Sequence, residues 1–136
     1  MRIQLQLLMM AAAAAVGCSS SNNGPTAPTM GGGGGGGSAG TVTVGNIFFQ
    51  SGHNGTKNPA IDTVAVGTTV TWTWVGSFHS VTSGACPPCQ HDDNFGSEQA
   101  FSPPHTFSFT FNTPGTFPYF CTVHQQAMTG TVVVSP

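Results

Sequence analysis

The sequence predicts an all-β domain, a sandwich or barrel of short antiparallel strands. Apolar and hydroxyl-bearing residues alternate with period two along several runs, and turn-forming residues separate those runs. No stretch of residues 41–136 long enough for an ordinary helix shows helical periodicity. With 19 Gly and 10 Pro among 136 residues, long helices are disfavoured as well.

The first segment stands outside that fold. Residues 1–17 carry one basic residue, Arg2, and then an apolar run from Ile3 to Val16. These are the parts of a secretory signal, and the run is shorter than the roughly 20 apolar residues of a membrane span. Ala15, Val16, Gly17 and Cys18 resemble a bacterial lipoprotein box, which implies cleavage before Cys18 and a lipid on its sulfur. Residues 18–40 are Gly, Ser, Asn, Thr and Pro-rich, with seven consecutive glycines at 31–37. Such a segment has nothing to bury and reads as a flexible tether. The chain is therefore expected to be exported, at the periplasm or cell surface, and held to a membrane through Cys18.

Residues 41–136 form the domain and hold all the aromatic side chains. Strands are expected at 41–44, 61–66, 69–74, 79–82, 106–111 and 129–134, where β-branched and aromatic residues dominate. Val70, Trp72 and Trp74 alternate with threonines, and Phe107, Phe109 and Phe111 do the same with Thr and Ser. Pro114 and Gly115 mark a turn between the last two strands. Residues 83–104 break the pattern with Pro87, Pro88, Pro103 and Pro104, and read as an exposed insertion loop.

Only 4% of the residues are charged, against roughly 25% in an ordinary soluble domain. Two basic residues cannot neutralise a phosphate backbone, so nucleic acid is excluded as a partner. Four acidic residues do not make a self-repelling disordered tail. The charges of the domain all lie between Lys57 and Glu98.

The chemistry lies near the C-terminus. Cys121, His124 and Met128 offer a thiolate, an imidazole and a thioether in one short segment between two strands, and His79 offers a second imidazole. Two His, one Cys and a weak axial Met make the trigonal copper site of electron carriers. Met128 is the sole methionine of the domain. With Cys18 assigned to lipid and Cys121 to metal, Cys86 and Cys89 remain as a pair.

The run YFCTVHQQAMTGTVVV at 119–134 resembles the metal loop and last strand of plastocyanin/azurin-type cupredoxins. WTWVGSFHSVTS at 72–83 resembles their strand bearing the first His, and NTPGTFPY at 112–119 fits the turn between. The resemblance implies a Greek-key β-sandwich of about seven to eight strands holding one type 1 copper ion. Its ligands would be His79, Cys121, His124 and Met128. It further implies that the Ser80 N–H faces the Cys121 sulfur, with the Ser80 hydroxyl meeting Thr122. The implied function is Cu(II)/Cu(I) electron transfer between redox partners, by a monomer that is not an enzyme. The partners would dock on a neutral, apolar face near His124. Three residues separate His124 from Met128, where plastocyanins usually have four and amicyanins two. Ser80 stands where Asn is common, and the insertion is longer than usual.

Other readings compete. Copper could be stored or delivered rather than used for redox work. Cys86, Cys89, Cys121 and His124 could form a Cys₃His zinc site. Cys86 and Cys89 could instead be a redox-active C-x-x-C, or join His91 and Asp92 or Asp93 around a second metal. A small structural disulfide is the simplest role for them. His53 and His105 read as solvated loop or strand-edge residues.

Overall fold

The computed structural model describes residues 40–136. Cys18, the signal-like segment and the tether up to residue 39 lie outside the described residues.

The described chain is built of β1 (Thr41–Gly45), β2 (Phe48–Ser51), β3 (Ala60–Ala65), β4 (Thr68–Trp74), β5 (Thr82–Ser83), β6 (Thr106–Phe111), β7 (Gly115–Cys121) and β8 (Gln125–Ser135). They form two four-stranded sheets, ordered β2-β1-β4-β6 and β3-β8-β7-β5. The described residues contain no helix.

The alternation does the work that the sequence implied. Val70, Trp72 and Trp74 point inward from β4 and are all buried. The opposite face carries cross-strand hydroxyl pairs, Thr69 with Thr110 at 2.7 Å and Thr71 with Ser108 at 2.8 Å. Period-two patterning with one apolar face is what a sheet covering a core requires. Trp72 centres that core, edge-on to Tyr119 at 5.4 Å between ring centroids. Tyr119 in turn lies over Gly130 of the neighbouring strand, where a Cβ would collide with its ring.

Three features differ from expectation. Two strand pairings, β1 with β4 and β3 with β8, are parallel rather than antiparallel. The chain leaves β2, crosses to the other sheet as β3 and returns as β4 beside β1, so this neighbour arrives by a crossover and not a hairpin. The short strand β2 was not anticipated, because Phe48 and Phe49 stand side by side without alternation. The strand expected at 79–82 shrinks to β5, with His79 holding only an isolated bridge to Phe101.

Residues 83–104 are not simply an exposed loop. Phe95 is buried and stacks against Trp72 at 5.7 Å and Phe109 at 5.2 Å. Polar bonds pin the segment around it. The Phe95 N–H donates to Ser83 Oγ at 3.0 Å, and the Val81 N–H donates to Ser97 Oγ at 3.0 Å. The insertion is a flap with Phe95 anchored in the core, Phe101 packed at its edge, and a polar, proline-rich tip.

Candidate metal centre

β7 and β8 form a hairpin whose turn holds residues 122–124. Cys121 ends β7 beside a register shift at Phe120/Cys121, an irregularity that re-aims a side chain at a strand end. The turn is closed by the His124 N–H donating to the Cys121 carbonyl at 3.2 Å and the Ala127 N–H donating to the His124 carbonyl at 3.1 Å. Gln125 takes the left-handed φ of 47° that so tight a return demands. Met128 lies within β8 itself, so a strand and not a loop carries it.

His79 arrives from the other direction. Its backbone, not its ring, is anchored. The Trp74 Nε1–H donates to the His79 carbonyl at 2.7 Å, and His79 exchanges backbone bonds with Phe101 at 3.1 and 2.9 Å. The ring's Nε2 is buried with no hydrogen-bond partner.

The ligand atoms of His79, Cys121 and His124 all lie within 4.8 Å of one another. Cys121 Sγ is 3.6 Å from His124 Nδ1 and 4.0 Å from His79 Nδ1. Two metal bonds of roughly 2.0 and 2.3 Å meeting at about 120° put their outer atoms roughly 3.7 Å apart. The observed separations bracket that spacing, so the trio fits a first-row metal. A soft thiolate with two imidazoles is the donor set that suits copper in both oxidation states. His79, Cys121 and Met128 are buried, whereas His124 is half-exposed and forms the rim. Burial, and then the charge of His124, hold the His79 pKa below its ordinary value. Its imidazole is thereby kept neutral, the form that a metal takes.

The surroundings of the sulfur are equally ordered. The Ser80 N–H lies 3.4 Å from Cys121 Sγ. Ser80 Oγ accepts the Thr122 N–H at 2.9 Å and lies 2.9 Å from Thr122 Oγ1 and 3.2 Å from Thr82 Oγ1.

Other sequence candidates fall elsewhere. Cys86 and Cys89 form a disulfide at the flap tip, so they cannot serve as thiolates, and the Cys₃His zinc arrangement does not form. His91 pairs with Asp93 at 3.2 Å. His105 is no solvated strand-edge residue. Its ring stacks on Phe101 at 3.7 Å and meets Trp74 edge-on at 4.8 Å. His53 is exposed. Sequence reasoning missed Trp74 as the anchor of His79, although a Trp five residues ahead of a ligand was in view. It also missed Asn58, for which no local pattern gave a signal.

A two-sheet β-sandwich with one thiolate and two imidazoles converging at one end is a mononuclear metalloprotein of the cysteine–histidine class. Residues 50–135 match the model of the copper binding proteins of the plastocyanin/azurin family, and the chain belongs to that family. It is 40% identical over 88 residues to the halocyanin of Natronomonas pharaonis, covering 62% of this chain. It spans 52%, about half, of that relative's length. Among solved structures, it resembles a purple cupredoxin from Nitrosopumilus maritimus with 26% identity and a TM-score of 0.54, over 70% of this chain and 98% of that one. An amicyanin mutant matches with 27% identity and a TM-score of 0.50, over 70% of this chain and 80% of that one. Family and site together define a centre for one copper ion at His79, Cys121 and His124.

Proposed function

We propose that this chain is a one-electron carrier of the cell envelope, with Met128 as the axial fourth ligand. The observation that carries the proposal is the pairing of a buried Cys121 with a half-exposed His124 in a single tight turn. Bound copper supplies a one-electron couple between Cu(II) and Cu(I). The chain's own residues do the rest. His79 and His124 hold their Nδ1 atoms toward the sulfur, and the backbone bonds of both segments keep them there when charge changes. Met128 is fully buried four residues after His124 and would close the site to water. His124 offers the short path outward.

Exposed apolar side chains support docking beside that rim. Phe78, 71% exposed, precedes His79, and Val123, 50% exposed, precedes His124. Ile47 and Val75 are also exposed, on the turns that follow β1 and β4. None of these segments carries a charge. Export and a lipid anchor at Cys18 complete the proposal, resting on the composition of residues 1–40.

The test is spectroscopic and electrochemical. Adding Cu(II) to the purified domain gives an intense blue thiolate colour, which Cys121→Ser abolishes. Reversible one-electron voltammetry with retained metal supports the carrier. Rapid loss of copper on reduction supports storage or delivery instead. For the anchor, Cys18→Ser moves the protein from the membrane fraction to the soluble one.

A further inference from the structure

Asn58 lies far in sequence from every ligand, yet its side chain reaches the ligand hairpin. Its Nδ2 donates to two backbone carbonyls, Ile47 at 2.7 Å and Ala127 at 2.9 Å. Its Oδ1 accepts the Phe49 N–H at 3.2 Å. The Asn58 N–H points to the Phe49 carbonyl at 3.4 Å. One amide thus uses both of its donor hydrogens and its acceptor on main-chain groups of the β1–β2 turn, β2 and β8. Asn58 adopts φ of 39°, a left-handed conformation that Asn tolerates better than most residues. No other residue type combines that backbone with two donors and an acceptor on so short a stem.

The Ala127 carbonyl is the last main-chain group before Met128. The turn at residues 122–124 fixes His124 and Ala127 relative to Cys121, but nothing within the hairpin fixes Ala127 relative to the opposite sheet. Asn58 supplies that link, tying the start of β8 to the turn that opens β2. We infer that Asn58 is a positioning residue for the thioether of Met128, setting its distance from the copper without touching it. The inference rests on Met128 acting as the axial ligand.

The test uses the purified domain and two variants. Asn58→Gly keeps the left-handed backbone and deletes the amide. Asn58→Asp keeps the acceptor for Phe49, and with it the turn, but sets a carboxylate against two carbonyl oxygens. In the metal-free protein, both variants should accelerate amide hydrogen exchange across residues 126–129 while leaving the β4–β6 ladder protected. Copper-loaded, both should change the ratio of Cu(I) to Cu(II) affinity by about threefold to tenfold and alter the rhombicity of the Cu(II) EPR spectrum. Unchanged exchange, potential and EPR in both variants would overturn the inference, as would a fall in melting temperature with the spectra intact. Met128→Leu separates the two readings. If it leaves the spectra unchanged, the axial assignment is wrong. If it changes them while the Asn58 variants do not, only the Asn58 inference is wrong.

Discussion

Ser80 and Thr122 follow the two ligands His79 and Cys121, and they are joined directly: Ser80 Oγ accepts the Thr122 N–H at 2.9 Å across 42 residues of sequence. The same serine turns its own N–H toward the Cys121 sulfur at 3.4 Å. One residue therefore fixes the distance between the segments and the electron density on the sulfur. A hydrogen bond to a thiolate draws electron density off the sulfur and so favours the more electron-rich metal state more than a bare sulfur would, which makes such contacts levers on the potential.

Ser80→Ala should keep the N–H bond to sulfur and lose the bridge to Thr122. The Thr122 N–H then loses its protein partner on an exposed turn residue, at about 0.5–1.5 kcal/mol. Melting of the metal-free domain should register that loss. Copper affinity should fall by about tenfold, measured by competition with a chelator. The blue colour should persist, because all four proposed ligands remain.

The flap gives a prediction of the opposite kind. Phe95 packs against Trp72, Phe109, Phe111 and Tyr119, yet belongs to no strand. Phe95→Ala should cost about 3–5 kcal/mol in chemical denaturation by opening a cavity in the aromatic core. Serine at both Cys86 and Cys89 should leave the copper spectrum unchanged, because that disulfide sits at the flap tip and supplies no ligand. Loss of the colour in the double variant would return those cysteines to the metal.

The His79, Cys121 and His124 trio and the all-β class were legible because both write themselves into residue type. Copper needs a thiolate and imidazoles that few other roles would gather, and β4 and β6 declare their inner face by strict alternation. Phe95 was not legible, because a single aromatic among prolines and charges has no period to read. The parallel pairings were hidden for a related reason. Alternation reports which face a strand buries but not which strand lies beside it. Asn58 was invisible because its partners, Ile47 and Ala127, are engaged through backbone carbonyls that every residue possesses.

Asp62 predicts an unusual pH profile. It is 1% exposed, with Oδ1 accepting the Ser51 hydroxyl at 2.7 Å and Oδ2 unpartnered. Burial raises its pKa above the ordinary 3.8, more than the Ser51 bond and the His53 charge lower it. The folded chain therefore holds this proton more tightly than the unfolded chain does. Its contribution to stability is fully present below pH 3.8 and is lost as pH rises through the raised folded value. Asp62→Asn keeps the acceptor for Ser51 and has no charge to bury. It should be more stable than the parent at pH 7 and should flatten the slope above pH 3.8, read from denaturant midpoints across pH. Equal slopes in parent and variant would show that folding does not shift the Asp62 pKa.

Phe78 tests how electrons are handed over. It is 71% exposed and adjoins His79, and the nearest segments of the ligand hairpin carry no charge. A neutral rim gives little long-range steering, so association with a redox partner should depend weakly on ionic strength. Stopped-flow rates measured from about 0.01 to 0.15 M salt, where the screening length falls from roughly 30 to 8 Å, should change little for the parent. Phe78→Glu removes apolar contact area and adds a charge at the same point. Its rate should drop, and it should acquire the salt dependence that the parent lacks, with a sign that reports the charge of the partner's face. If the parent itself shows a steep decline with salt, docking draws on the charges between Lys57 and Glu98 and not on the uncharged side chains beside His124 alone.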